Sequence, residues 1–336
     1  MGIDILMLAL SLLLILFACE IFVNAVEWFG KRLNLHQGIV GSILAAIGTA
    51  LPETIVPIIA ILFSTGPRAH HVGIGAIAGA PFMLGTLAFF LNGCAVLVFS
   101  RMKKRAVEMN ANTGAFRKDL EFFFVIYGTA IATTFVRSIA PLRIAVAVAL
   151  VSSYGIYLKK TIQSDVDMID EPHELYFARF IRLPNNLTWI IAQLALGLAL
   201  IIAGAHFFVE YVQTTSAAMG VSPLILSILI TPIATELPEK FNSIIWIRKN
   251  KDTLAMGNIS GAMVFQSCFP VAFGIIATDW NLAAEHGIPL VSAACTLASC
   301  AVIYFWLRTR RRMNPYVLMT GGLFYLVAIA YIARYV

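Results

Sequence analysis

Long apolar runs alternate with short polar segments along the whole chain. Ten of these runs are long enough to cross a hydrocarbon core of about 30 Å, which needs about 20 helical residues. They cover residues 5–29, 38–63, 72–99, 121–137, 139–158, 187–212, 222–247, 254–278, 287–307 and 315–335. A spanning segment has to satisfy its own backbone groups, and no alternating strand pattern indicates a barrel. The pattern therefore predicts an all-α transmembrane protein of ten helices.

A polar segment at residues 159–186 divides these runs into two sets of five. We expect residues 1–158 to form one five-helix unit and residues 187–336 to form a second, joined by this linker. The linker carries the acidic residues Asp165, Asp167, Asp170, Glu171 and Glu174. They lack the spacing and turn glycine of an EF-hand loop, so we interpret them as a solvated cytoplasmic segment.

Composition supports a membrane protein. Hydrophobic residues make up 60% of the 336 residues, charged residues only 12%, and the mean hydropathy is +0.84. The net charge of +6 comes from bases in short loops between apolar runs, which favours membrane orientation over nucleic-acid binding. The five cysteines lie inside apolar runs without a CxxC pair or a histidine at metal-ligand spacing. Disulfides and zinc are therefore not expected.

The positions of Lys and Arg predict the orientation. Nineteen of the 24 basic residues follow the first, third, fifth, seventh and ninth runs, four lie in the opposite loops, and Lys240 lies within a run. By the positive-inside rule the odd loops are cytoplasmic and both termini lie outside the cytoplasmic membrane. With five helices per half, the second half enters from the opposite side. This predicts two inverted-topology repeats, an arrangement in which transporters place their sites near the bilayer midplane.

Two related motifs interrupt apolar runs with a proline and a carboxylate. Residues 48–53 read GTALPE and residues 234–239 read ATELPE. A shift of 186 residues superposes Thr49 on Thr235 and Glu53 on Glu239, together with the leucine and proline between them. An ionisable group inside a membrane is expensive and indicates a functional site.

The motifs supply hard oxygen ligands. Proline removes a helical hydrogen bond, so we expect carbonyls near Ala46 and Pro232 to be freed toward a cavity. Hydroxyls and carboxylates of the two motifs complete a cage of oxygens, which suits calcium or, with fewer and weaker ligands, sodium. Softer metals are disfavoured because the motifs contain neither cysteine nor histidine.

Each proline motif is followed by a glycine motif, GAIAGAP at 75–81 and GNISGAM at 257–263. Together the motifs resemble the calcium:cation antiporters, which include the sodium/calcium exchangers. That family carries inverted repeats with G-T-S-x-P-E followed by G-N-x-x-G-S-N. The resemblance covers both halves and implies cation-binding roles for the residues that match: Glu53, Glu239, Thr49 and Thr235.

The chain departs from the family pattern where oxygens would be expected. At the position of the motif serine, this chain has Ala50 in the first half and Glu236 in the second. At the polar position one turn beyond each glycine motif, this chain has Leu84 in the first half and Gln266 in the second. We include Gln266 and Glu236 in the expected site. Lys240, four residues after Glu236, is expected either to pair with it or to act as a tethered cation.

These features predict a secondary antiporter, not an enzyme, that binds inorganic cations in a lipid bilayer and needs no cofactor. Calcium exchanged for sodium is the first hypothesis. A cation exchanged for protons is the alternative, because the carboxylates remain while several hydroxyls are missing. A membrane protein of the same scaffold that does not transport, or that conducts as a channel, is a third possibility. No nucleophile–base pair or phosphate loop indicates catalysis.

Overall fold

Apolar segments form helices throughout the computed structural model, which describes residues 2–32, 50–64, 69–162 and 174–335. Side chains at 160–162, 234 and 237–239 lie outside the described set. The helices are α1 Gly2–Arg32, α2 Leu51–Ile58, α3 Ala69–Met83, α4 Phe89–Arg101, α5 Thr113–Ala132, α6 Ala140–Ile162, α7 Tyr176–Ile181, α8 Leu187–Met219, α9 Pro223–Thr235, α10 Leu237–Arg248, α11 Asp252–Ala277, α12 Ile288–Arg310 and α13 Pro315–Ile332. The described residues contain no β-strand beyond an isolated bridge between Met109 and Met313.

Eight helical segments in the described residues are long and apolar enough to cross a membrane. Two shorter apolar helices, Leu51–Phe63 and Pro223–Ile233, accompany them. The prediction of an all-helical, multi-pass membrane protein is confirmed. The count of ten is not, because residues 33–49 lie outside the described part and the run 222–247 is divided into two helices at Glu236.

Helix α3 continues into α4 through a π-helical turn, Leu84–Ala88, and α2 ends in another, Ile59–Phe63. Such turns insert an extra residue into the helix and are frequent at functional sites. The run 72–99 therefore corresponds to one interrupted helical segment, Ala69–Arg101.

Helices α1 and α8 form the most extensive helix pair of the described structure. Glycines permit this approach: a Cβ added at Gly197 would lie 2.9 Å from Phe22 Cα, and one at Gly204 would lie 2.8 Å from Ile15 Cγ1. With α2 they enclose one apolar cluster, while a second cluster lies among α3–α6 and α9–α13. Close backbone approach at small residues is the usual way in which membrane helices pack.

Buried polar side chains also join α1 to α8. Asn24 Oδ1 accepts hydrogen bonds from Gln193 Nε2 at 2.9 Å and from the Tyr176 backbone N–H at 3.1 Å. Asn24 is thus a polar contact between helices α1 and α8. The Tyr176 hydroxyl donates to Glu20 at 2.9 Å. Burial and then this carboxylate raise the pKa of Tyr176 to about 12, so the phenol remains a donor at neutral pH.

The loop between α4 and α5 is held against the start of α11. Arg105 Nη1 lies 2.7 Å from Asp252 Oδ1, and Arg105 Nη2 lies 3.0 Å from Asp252 Oδ2. The guanidinium also donates to the carbonyls of Ile247 and Glu108, and both partners are buried. Loops that follow the third and seventh apolar runs therefore meet on one face of the molecule.

Candidate functional site

Two helices start with the same backbone geometry at the proline motifs. The residue before α2, Ala50, has φ −88° and ψ 6°, and the residue before α10, Glu236, has φ −95° and ψ 7°. A proline follows in the first turn of each helix, where its missing N–H leaves no helical bond unmade. Residues 50 and 236 are separated by the same 186 positions that relate the two motifs. The sequence repeat is therefore also a repeat of local structure.

Glu53 lies in the first turn of α2 and is only 3% exposed. The partial positive charge of a helix N-terminus favours a carboxylate at this position. The hydroxyl of the next residue, Thr54, donates to the carbonyl of Ala50, one turn earlier, at 3.1 Å. The start of α2 thus places a buried acid at the first turn of a short helix in the apolar interior.

The second motif contains a buried ion pair. Glu236 is fully buried, Lys240 is 5% exposed, and Lys240 Nζ lies 3.2 Å from Glu236 Oε2. The expected pairing is therefore present. Lys240 Nζ also donates to the Pro232 carbonyl at 3.2 Å, which in addition accepts the Glu236 N–H at 3.2 Å. The prediction that this carbonyl is freed was wrong, because it keeps its helical bond from the Glu236 N–H and also binds Lys240.

Helix α9 carries a line of three buried hydroxyls, of which the sequence motifs indicated only Thr235. Thr235 is 1% exposed and its hydroxyl donates to the Thr231 carbonyl at 3.0 Å. The Thr231 and Ser227 hydroxyls lie 3.0 Å apart, and Ser227 donates to the Val72 carbonyl at 2.7 Å. Their four-residue spacing was the available signal, since it places all three on one helix face.

The first glycine motif packs directly on this helix. A Cβ added at Gly75 would lie 2.7 Å from the Leu224 carbonyl, and one at Gly79 would lie 2.6 Å from the Ile228 carbonyl. No larger residue fits these positions without separating α3 from α9. The glycine motif of the first half therefore holds the hydroxyl-bearing helix of the second half in place.

Gln266 extends from α11, which packs against both α2 and α3. It is 2% exposed, and its Oε1 accepts no hydrogen bond from the described residues. A buried amide oxygen without a donor is costly, so its position favours a ligand role. Ala46, Thr49 and the side chain of Glu239 lie outside the described residues.

A cavity of about 480 Å³ opens near the start of α9. Its polar lining consists of His70, His71, Arg143, Thr278, Asp279, Asn281 and Glu285. His71 Nδ1 lies 3.0 Å from Glu285 Oε1 across it. Leu224 also lines the cavity, three residues before Ser227, so the hydroxyl line of α9 begins just beneath it.

Comparison with known proteins agrees with these features. The sequence model of the family described as sodium/calcium exchanger protein matches residues 3–161 and 189–336. A protein named as antiporter CaxA, from Alkalimonas amylolytica, is 27% identical over 86% of this chain and 86% of its own length. The inner membrane protein YrbG of Escherichia coli is 22% identical over 97% of this chain and 96% of its own.

Two solved structures share the fold. The H+/Ca2+ exchanger CAX has a TM-score of 0.74 at 18% identity, and the alignment covers 98% of this chain and 86% of that one. The sodium-calcium exchanger NCX_Mj has a TM-score of 0.59 at 19% identity, with 98% of both chains covered.

Proposed function

Because the chain belongs to the sodium/calcium exchanger protein family, we propose that it is a secondary antiporter that exchanges a divalent cation for sodium by alternating access. Calcium is the first choice for the divalent cation. The similarity to a protein named as an antiporter supports this reading. Members of this family are transporters, so a transport assay, not an enzyme assay, is the relevant measurement.

The observation that carries the proposal is the buried Glu53 at the start of a helix that begins in the apolar interior. We assign the cation to a site between the two motifs, with Glu53 and Glu239 facing each other as its main ligands. Hydroxyls of Thr49 and Thr235, a carbonyl near Ala46 and the Gln266 amide would supply further oxygens. Such a set approaches the six to eight oxygen ligands that calcium takes.

The proposed architecture is ten helices in two inverted five-helix repeats, residues 1–158 and 187–336, joined by a cytoplasmic linker. The matching backbone at Ala50 and Glu236 supports the repeat. The packing of Gly75 and Gly79 on α9 supports an interface between the halves. We place the protein in the cytoplasmic membrane with both termini outside.

Proton coupling is the second candidate, and one observation favours it. Ala50 and Ala80 are buried where the family pattern has serine hydroxyls. Sodium ions depend on such neutral oxygens, whereas a pair of nearby carboxylates can exchange a cation for protons.

Flux into proteoliposomes tests both candidates. Purified protein is reconstituted, and uptake of radioactive calcium is measured with an outward sodium gradient at equal pH, and separately with a pH gradient without sodium. We expect the sodium gradient to drive uptake. Uptake driven only by the pH gradient would support the proton alternative.

The matched variants are Glu53→Gln and Glu108→Gln, because Glu108 is an exposed loop glutamate. Glu53→Gln is expected to abolish exchange while the protein elutes as folded protein on size exclusion, and Glu108→Gln to exchange normally. Wild-type flux in Glu53→Gln would refute the site. Absence of calcium flux in the wild type under both gradients would favour a scaffold that does not transport.

A further inference from the structure

We propose that the Lys240 ammonium is a built-in monovalent cation that permanently fills one cation position of the second motif. This inference rests on the proposed function, because it concerns how many monovalent ions the same site binds. It also revises the role of Glu236: its carboxylate binds Lys240 instead of the transported ion.

Both contacts of the Lys240 ammonium are with hard oxygen atoms. Its Nζ lies 3.2 Å from a carboxylate oxygen of Glu236 and 3.2 Å from the carbonyl oxygen of Pro232. All three residues are buried. A carboxylate and a backbone carbonyl at a helix break are hard oxygen donors, which alkali-metal ions prefer.

The pair has no counterpart in the first half of the chain. In the repeat register Ala50 corresponds to Glu236, and Thr54 corresponds to Lys240. The backbone at residues 50 and 236 is nevertheless the same within a few degrees. The second half thus carries an added acid and an added base whose charges cancel. They lie at a helix start whose backbone matches that of the first half.

Packing alone does not account for this pair. A buried ion pair rarely stabilises a protein more than apolar residues of the same volume, since both charges lose their hydration. At this position Ala50 and Thr54 provide the uncharged solution in the first half. A charged pair retained at the helix break therefore indicates that a positive charge is needed between Glu236 and the Pro232 carbonyl.

Removal of the ammonium should create a sodium site. In Lys240→Met, and in Lys240→Gln as a second variant, Glu236 and the Pro232 carbonyl are left to attract a cation from solution. We expect the melting temperature of the detergent-purified variants to rise with NaCl, relative to equal choline chloride, by at least about 2 °C more than that of the wild type. Lys249→Met, at an exposed lysine, is the control and should respond like the wild type.

A double variant tests the assignment to this pair. The extra response to sodium should disappear in Glu236→Gln/Lys240→Met, in which no carboxylate remains to bind the ion. Variants that fold only when purified in NaCl would support the proposal in the same way. The proposal is overturned if neither single variant gains a sodium response, if the gain persists in the double variant, or if neither variant folds even in NaCl.

This readout is independent of transport. If Glu53→Gln leaves calcium flux unchanged, the proposed antiport site fails while the Lys240 measurement still reports on monovalent-cation binding. If exchange is found but the Lys240 variants gain no sodium response, only the present inference fails.

Discussion

At the scale of single residues, the Arg105–Asp252 pair is the clearest case of charges that depend on one another. The Arg105 side chain is fully buried and that of Asp252 is 2% exposed. The carboxylate also accepts the Asn110 backbone N–H at 2.8 Å. Removal of either partner would leave an uncompensated charge in the interior, so the pair acts as a unit that holds the α4–α5 loop.

We therefore expect Asp252→Asn to destabilise the protein by about 3–5 kcal/mol. Arg117→Gln breaks an exposed ion pair in which Arg117 Nε lies 3.5 Å from Glu121 Oε1. This change should lower the free energy of unfolding by no more than about 1 kcal/mol. Denaturation of the two purified variants in the same detergent measures the difference. Equal midpoints would mean that the buried pair contributes nothing particular to stability.

Local pairs could be predicted from the sequence, but distant ones could not. Lys240 and Glu236 are four residues apart on a helix, so their contact followed from helical geometry. Arg105 and Asp252 are 147 residues apart, and no spacing rule connects them. The prediction for the Pro232 carbonyl was wrong because Glu236, four residues later, donates its backbone N–H to it, and because the long Lys240 side chain reaches back to it.

At the scale of helices, the contact between α3 and α9 depends on missing side chains. Gly79 lies so close that an added Cβ would be 2.7 Å from Pro232 Cγ as well as near the Ile228 backbone. The backbone cannot yield as a flexible side chain would. The spacing of these two helices is therefore fixed by glycine.

Gly79→Ala is expected to destabilise the protein by roughly 1–3 kcal/mol through overpacking, and to lower calcium flux because it displaces α9. Gly155→Ala is the matched control. Gly155 is exposed on α6, and a Cβ there meets no atom of the described residues within 4 Å. Thermal unfolding and flux compare the two; the packing argument is wrong if both alanines behave alike.

The positions of the helices could be predicted from the length of the apolar runs, but the interruptions within helices could be predicted only in part. Proline marked the break at residue 236, since it cannot continue a helical hydrogen-bond ladder. The π-helical turn Leu84–Ala88 was not predicted, because one extra residue per turn leaves the apolar character of the segment unchanged. It lies where Leu84 replaces a polar residue of the family pattern.

At the scale of the whole molecule, loops separate onto two faces. Met109 and Met313, in loops after the third and ninth apolar runs, form a bridge on the face that carries Arg105. His71, Arg143, Asp279 and Glu285, all outside that set of loops, surround the cavity near the start of α9. This separation agrees with the division of the loops by basic residues.

Cysteine labelling assigns the faces. In a background in which Cys94, a half-buried native cysteine, is replaced by alanine, a membrane-impermeant maleimide should label Asp279→Cys in sealed cells. Asn110→Cys should be labelled only after the membrane is opened. Both positions are exposed, so only the side of the membrane differs between them. The reverse pattern would invert the proposed orientation.

The close packing of α1 on α8 has a consequence for biosynthesis. Asn24 and Gln193 lie 169 residues apart in the chain. At about 5–20 residues per second, a ribosome needs roughly 10–30 s to make the second partner after the first. During that interval the amide of Asn24 and the surface that later contacts Gly197 and Gly204 meet lipid or the insertion machinery. The nascent first helix therefore exposes a polar amide and an unpaired packing surface until its partner is inserted.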